Sequence, residues 1–383
     1  MLKVLLIRTN PVSPEPKVEK EAYALGKNGF DVEILAWDRN TDNMSFQDKG
    51  FYKIRRFKLK ASYGKPTVML KLFIWLIYEF FYLMRADVDI FHAIDLDTLL
   101  PAVMASKIRD KPLVYDCSDF YADSFPQATP MIIRKIFAKI EIFFSKFANF
   151  VILPEESRIE QFRNELSDFI IINNTPMEIN IKRNCKQNKA FTLFYAGIIH
   201  RDRAIEKVLE VIKNIDNVEL IIAGYEIGSG NLIKHINSID NVTFLGKIPY
   251  HEVIRRTIES DLTFAFYDPK IPNHKYASPN KLFEAMMCGR PIITNYGTLM
   301  AKTVMEENCG VLVHYDNIYE IEDIITKLKL DMKLRISLGE NGLRAYRTKY
   351  NWKIMEERLV QAYQTLDCYN DYDNKSKSFT IHK

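Results

Sequence analysis

The chain has few cysteines, no strong net charge and no long uninterrupted apolar run. Its five cysteines, Cys117, Cys185, Cys288, Cys309 and Cys368, are scattered, odd in number and never paired as CxxC. That pattern excludes a disulfide framework and a zinc ribbon, and it predicts a reducing, cytoplasmic setting. A net charge of +4 is too small to argue for nucleic acid. The longest apolar stretch, VMLKLFIWLIYEFFYLM at 68–84, is interrupted by Lys71 and Glu79. It is too broken for a spanning helix, which leaves a helix buried on most sides or one lying on a membrane surface. A second stretch, MIIRKIFAKIEIFFSKF at 131–147, sets basic residues along an apolar helix and leaves the same pair of readings open. The opening MLKVLLIRTN is too short for a signal sequence and has no small-residue cleavage site, so residues 4–7 are expected as a buried strand.

What is present is length enough for two domains and a repeating alternation of elements. Strands are expected at 4–7, 32–36, 52–57, 90–92, 113–115 and 151–153, with a helix at 18–27 and helical segments between the later strands. The second half repeats the pattern with strands at 191–195, 218–223, 242–245, 262–266 and 292–294, and helices at 205–212 and 232–239. Short apolar strands alternating with helices predict an α/β chain with two doubly wound, Rossmann-like parallel sheets facing each other across a cleft. The polar, aperiodic segment MEINIKRNCKQNK is expected to join them.

The most informative stretch is YASPNKLFEAMMCGRP at 276–291. Ser278 is a suitable N-cap, Pro279 a suitable first helical residue and Gly289 a left-handed stop. The first turn of such a helix carries unpaired N–H groups and the positive dipole end, which together favour an anion such as phosphate. Lys281, at the expected third helical position, reaches the same anion, and Glu284 on the same face suits the paired hydroxyls of a ribose. Spacing alone also fits a capped amphipathic helix with Leu282, Phe283, Ala285 and Met286 in the core and its charges in solvent.

The run PNKLFEAMMCGRPII resembles the donor-binding segment of the family 4 glycosyltransferases, two-domain enzymes of the GT-B fold that use nucleotide-activated sugars. That family places a Glu eight residues before the second one, where this chain has Tyr276 before Glu284. The resemblance extends to YAGIIHRDRA, where Gly197 lets a phosphate approach the backbone and Arg203 precedes Ala204 in the place of a Gly. It extends also to FLGKIP, where backbone groups around Lys247 and Ile248 meet the base, and to the entry Gly29 to Val32. In the first half, FHAIDLD resembles the His-x-His-Asp segment with His92 and Asp95 kept and Ile94 in place of the second His. YDCSDF keeps a carboxylate at Asp119.

The resemblance implies an acceptor-binding domain at 1–178, a linker at 179–189, a nucleotide-sugar-binding domain at 190–345, a helix at 346–368 crossing back to the first domain, and a polar tail at 369–383. It implies a glycosyltransferase that moves a sugar from a UDP- or GDP-sugar to a hydroxyl acceptor, glycan or lipid-linked, in cell-surface glycan synthesis, with retention. The donor would meet Gly197, Arg203, Lys247, Ile248, Tyr276, Ser278, Asn280, Lys281 and Glu284, with His92, Asp95 and Asp119 at the chemistry. The nucleotide-sugar is a substrate, and no cofactor is expected. Although Asp95-Leu96-Asp97 spells DxD, basic residues and a helix start already serve the diphosphate, so no metal is expected. Peripheral association with the inner face of the cell membrane goes with the lipid-linked acceptor. With Tyr276 and Ile94 departing from the pattern, a sugar-nucleotide epimerase, a non-catalytic partner subunit, and inversion with Asp95 or Asp119 as base stay open.

Overall fold

The computed structural model describes residues 1–61, 67–126, 128–179, 190–228 and 230–371. The expected linker beyond its first residue, and the tail beyond 371, lie outside them. The chain divides into two compact units: Met1–Asn173 together with the chain from Met355 onward, and Asn174–Ile354. The first break falls earlier than 178 because the Tyr346 hydroxyl donates to the Pro176 carbonyl (3.0 Å), which ties that segment to the second unit.

The first unit contains β1 (Lys3–Arg8), α1 (Pro16–Lys27), β2 (Asp31–Asp38), β3 (Phe46–Asp48), β4 (Tyr52–Lys58), α2 (Thr67–Arg85), β5 (Ile90–Ile94), α3 (Leu96–Arg109), β6 (Leu113–Asp116), α4 (Met131–Ser145), β7 (Phe150–Leu153) and β8 (Phe169–Ile171). Its sheet runs β3-β4-β2-β1-β5-β6-β7-β8, parallel except for the β3 edge. Every residue of β5 and β6 is buried, as strands covered on both faces require. Alternation along β5 sends Phe91 and Ala93 into one core with Trp37, Trp75 and Tyr115, under α2, α3 and α4. His92, between them, faces the opposite side.

The second unit contains β9 (Phe191–Ile199), α5 (Ile205–Ile212), β10 (Val218–Glu226), α6 (Asn231–Ile236), β11 (Val242–Phe244), α7 (Tyr250–Glu259), β12 (Leu262–Ala265), α8 (Pro272–Lys275), α9 (Asn280–Cys288), β13 (Ile292–Asn295), α10 (Leu299–Glu306), β14 (Gly310–Val313), α11 (Ile318–Leu330) and α12 (Met332–Ala345). Its parallel sheet is ordered β11-β10-β9-β12-β13-β14. The final helix, α13 (Trp352–Asp371), belongs to the first unit from Met355 onward. Both sheets have the doubly wound order, with strands running outward from a reversal in which loops at the carboxyl ends are free to bind.

One local expectation changes. The helix α9 starts at Asn280, and Pro279, extended at φ −77 and ψ 142, is its N-cap. Its carbonyl accepts the Leu282 N–H (3.2 Å), so Ser278 lies one residue too early to cap and Lys281 is the second helical residue, not the third. Gly289 closes the helix at φ 64, ψ 40, in the left-handed conformation anticipated for it.

Candidate active site

In the second unit the two longest strands, β9 and β10, pair Gly197 with Gly224 at their carboxyl ends. A Cβ on Gly224 would lie 1.8 Å from the Gly197 carbonyl oxygen, so only glycine permits this approach. Gly197 has φ +149, and a Cβ there would lie 2.6 Å from Lys281 Nζ. The bare backbone of β9 therefore sits directly against the ammonium at the start of α9.

Lys281 is half-buried and makes no hydrogen bond or ion pair among the described residues. Its ammonium lies 5.0 Å from the Tyr195 ring centroid. Burial works against its charge, but the oxygens of Tyr195 and Tyr267 hold its pKa above the ordinary lysine value. Arg203 leaves the short 3-10 turn after β9, its guanidinium stacked 4.1 Å from the Tyr267 ring centroid. Nε is 3.5 Å from Asp202, while the buried Nη1 has no hydrogen-bond partner. Ala204, where the resembled motif has Gly, takes the left-handed φ of 51. Two cations with spare donors thus stand beside an exposed backbone turn, an arrangement that suits a multiply charged anion.

Asp202 is the hub holding Arg203 in place, with His200 Nδ1 at 2.8 Å and His274 Nε2 at 3.4 Å. Burial and the Arg203 charge push the His274 pKa down, so it is neutral at pH 7. Asp202 lies inside the YAGIIHRDRA segment, but no local pattern marks it as the residue that joins Arg203 to His274, and His274, Tyr267 and Tyr250 carry no sequence signal.

Glu284 is buried on α9 and hydrogen-bonds the hydroxyl of Tyr250, the first residue of α7. Burial and that carboxylate raise the Tyr250 pKa far above the ordinary phenol value. The loop after β11 is anchored by the Gly246 carbonyl, which accepts the Gly224 N–H (2.8 Å). Lys247 is exposed, 4.3 Å from the Tyr225 ring centroid, and Ile248 is half-buried. Tyr276 caps α8 with Lys275 Nζ 5.2 Å from its ring centroid, Ser278 is half-buried, and the Asn280 side-chain oxygen is buried without a partner. Of the expected donor residues, Gly197 and Lys281 are in demonstrable contact, and Arg203 shares the Tyr267 environment with them.

The expected catalytic residues lie in the first unit and differ sharply. His92 is fully buried. Its Nδ1 lies 2.6 Å from the Tyr363 hydroxyl of α13 and its Nε2 3.9 Å from Asp116. Burial and the nearby Lys17 charge push its pKa down to about 3. With no accessible nitrogen it packs α13 onto the sheet, which corrects the expectation that it touches sugar. Asp95 adopts φ 63 and accepts the Ser118 N–H (3.0 Å) and Asp119 N–H (3.4 Å) while pairing with Arg8. It orders the loop after β6. Asp119 is the accessible carboxylate, its side chain 52% exposed and 3.2 Å from Arg158. Burial of its surroundings and the Asp95 charge raise its pKa against the pull of Arg158.

Among the described residues the grouping with metal-ligand spacing is Glu21, His92 and Asp116. Lys17 already fills it, with Nζ 2.6 Å from Asp116 and 3.1 Å from Ser118.

The fold and the phosphate-suited site define the class: two Rossmann-like domains of the GT-B type. Over its full span the chain is similar to sucrose-phosphate synthase from Thermosynechococcus elongatus, at 16% identity and TM-score 0.76, covering 96% of this chain and 100% of that one. It is likewise similar to the Anabaena protein HepE solved in complex with UDP, at 13% identity and TM-score 0.71, covering 95% and 100%. Residues 176–345 match the family Glycosyl transferases group 1. Over 186 residues the chain is 29% identical to the capsular polysaccharide biosynthesis glycosyltransferase CapM of Staphylococcus aureus, covering 46% of this chain and 47% of that protein. The match thus spans about half the length of that curated relative.

Proposed function

We propose that this protein is a glycosyltransferase that moves a sugar from a UDP- or GDP-sugar to a hydroxyl acceptor, a glycan or lipid-linked sugar, in making a cell-surface glycan. The observation that carries the reading is the pair of cations, Lys281 without an ionic partner and Arg203 with a buried free Nη1, beside the glycine backbone of β9. A diphosphate placed there accepts from both, and Glu284 accepts from the ribose hydroxyls once the Tyr250 hydroxyl releases it. The similarity to CapM supports polysaccharide synthesis, and the UDP complex of HepE supports a nucleotide donor.

In the reaction the bond between the anomeric carbon and the β-phosphate oxygen breaks, and the acceptor oxygen forms a new bond to that carbon. The electron pair stays on the phosphate, where the growing charge is stabilised by Lys281 and Arg203. In the retaining route the departing phosphate oxygen takes the acceptor proton from the same face. Asp119, whose side chain is 52% exposed, is the residue for the alternative in which a side-chain base serves an inverting attack. The test is release of nucleoside diphosphate from UDP- and GDP-sugars with and without hydroxyl acceptors. Acceptor-dependent release supports transfer, and release or isomerisation independent of acceptor contradicts it.

A further inference from the structure

We propose that the outer face of the α2–α3–α4 layer docks on an anionic phospholipid surface. The three helices cover one side of the first sheet, with α3 packed between α2 and α4. Their inward faces hold the core; their outward faces are apolar as well. On α2, Met69, Phe73, Ile77 and Phe81 recur every four residues and stay exposed, Phe73 at 61%. On α3 the same spacing exposes Leu100, Met104 and Ile108, and on α4 it exposes Ile132 and Ile136, continuing to Phe143. Such spacing places each set on one face of its helix.

At ~150–250 Å² for a large exposed side chain, the combined apolar surface is on the order of 1,000 Å². The largest patch of an ordinary soluble monomer is about 300–600 Å².

The acidic residues inside the three helices face inward, and the exposed acids nearby, Asp87 and Asp110, lie just past the C-terminal ends of α2 and α3. Glu79 and Glu141 are fully buried, Glu141 accepting from the Tyr115 hydroxyl (2.7 Å), and Asp97 Oδ1 is buried. Arg85 lies against the Phe81 ring and Lys107 against the Phe147 ring, so the cations border the apolar residues. Lys135 and Lys139 stand exposed on α4 with no ion pair among the described residues. A broad apolar face edged by lysine and arginine, with the acidic residues inside its helices turned inward, fits an anionic bilayer, where the rings enter the headgroup region and the cations meet phosphates. It fits a second protein less well, since no polar partner groups interrupt it. Among the described residues no helix is long and apolar enough to cross a membrane, so the association is with the surface. This inference rests on the first unit alone and does not depend on the donor.

Flotation of the full chain with vesicles containing phosphatidylglycerol, against vesicles of phosphatidylcholine alone, tests it. Binding to the anionic vesicles at low salt is expected, weakened by added salt. The pair Phe73→Asp and Ile77→Asp, and separately Ile136→Asp and Phe143→Asp, should each cut the partition by at least about tenfold. Lys135→Glu with Lys139→Glu should remove the preference for anionic lipid. Unchanged melting and unchanged nucleotide response in the variants would show that they are folded. No flotation with anionic vesicles at low salt overturns the proposal, as does binding unaffected by the variants. A wild-type dimer that these substitutions convert to monomer, without vesicle binding, would assign the face to a second copy instead.

Discussion

Replacing Gly197 and Gly224 by alanine separates the binding role of one glycine from the folding role of the other. At Gly197 the new Cβ would lie 2.6 Å from Lys281 Nζ and 2.8 Å from Cε, the far end of a flexible side chain. Ordinary contact needs ~3.5–4.0 Å, so the ammonium must retreat by about 1 Å. The chain itself bears chiefly the cost of alanine at φ +149, about 1–3 kcal/mol. A displacement of that size at a positioning group lowers kcat/KM by roughly tenfold to a hundredfold, or about 1.4–2.7 kcal/mol. At Gly224 the Cβ would instead meet the Gly197 carbonyl oxygen at 1.8 Å and its carbon at 2.9 Å. Those atoms belong to the β9–β10 ladder and cannot retreat without breaking it. A loss of more than about 3 kcal/mol is expected there. Thermal denaturation with and without UDP and GDP reads both. Gly197→Ala should melt within several degrees of wild type yet respond weakly to nucleotide, whereas Gly224→Ala should melt far lower or fail to accumulate. A Gly197→Ala protein that binds nucleotide as wild type does would refute the placement of phosphate between β9 and Lys281.

Three further outcomes are expected. Tyr250→Phe removes the hydroxyl bonded to Glu284, so the nucleotide-free protein should lose about 1–2 kcal/mol while the stabilisation by nucleotide grows, measured by thermal shift. Burial beside Asp116 pushes the Glu21 carboxyl up to about 8. The folded chain therefore holds a proton that the unfolded chain releases above about 4.5, and this contribution to stability is full below that pH and lost as pH rises to 8. Glu21→Gln should accordingly raise the melting temperature at pH 8 and cease to do so below pH 4.5; a constant difference across that range would contradict the assignment. Asp119→Asn should leave nucleotide binding intact. If the retaining route holds, it should lower kcat by less than about tenfold, whereas a loss of about a thousandfold would make Asp119 the base of an inverting reaction.

The fold was largely legible because parallel strands buried on both faces write themselves as short apolar runs, and most expected strands match within a residue or two. Three strands were missed for local reasons. The edge strand β3, Phe46–Asp48, alternates exposed positions, β8 is only three residues long, and β14 opens on a glycine. Within α9 the C-terminal glycine was readable, since a left-handed residue is a local requirement. The start was not, because Pro279 could serve as cap or as first turn and only the extended ψ decides it. The site was legible as motifs but not as contacts. Lys281 and Arg203 stand out by position, yet the ring of Tyr195 that holds one comes from β9 and the ring of Tyr267 that holds the other from the loop after β12. His92 shows the limit most plainly, for its partner Tyr363 is 271 residues away and no local pattern announces it. The apolar outer face of α2 and α4 was visible as composition, while its exposure needed the packing of three helices.

The central claim is that Lys281 and Arg203 hold a nucleoside diphosphate, and the most direct measurement is a thermal-shift panel of UDP, GDP, ADP and their sugar conjugates on wild type and Lys281→Ala. A ligand that binds only the folded chain raises its melting temperature, by about 2.7 kcal/mol of stability at a hundredfold excess over Kd. One nucleotide should stabilise the wild type, and its shift should shrink or vanish in Lys281→Ala. No shift with any of them at millimolar concentration, or an equal shift in both proteins, would contradict it.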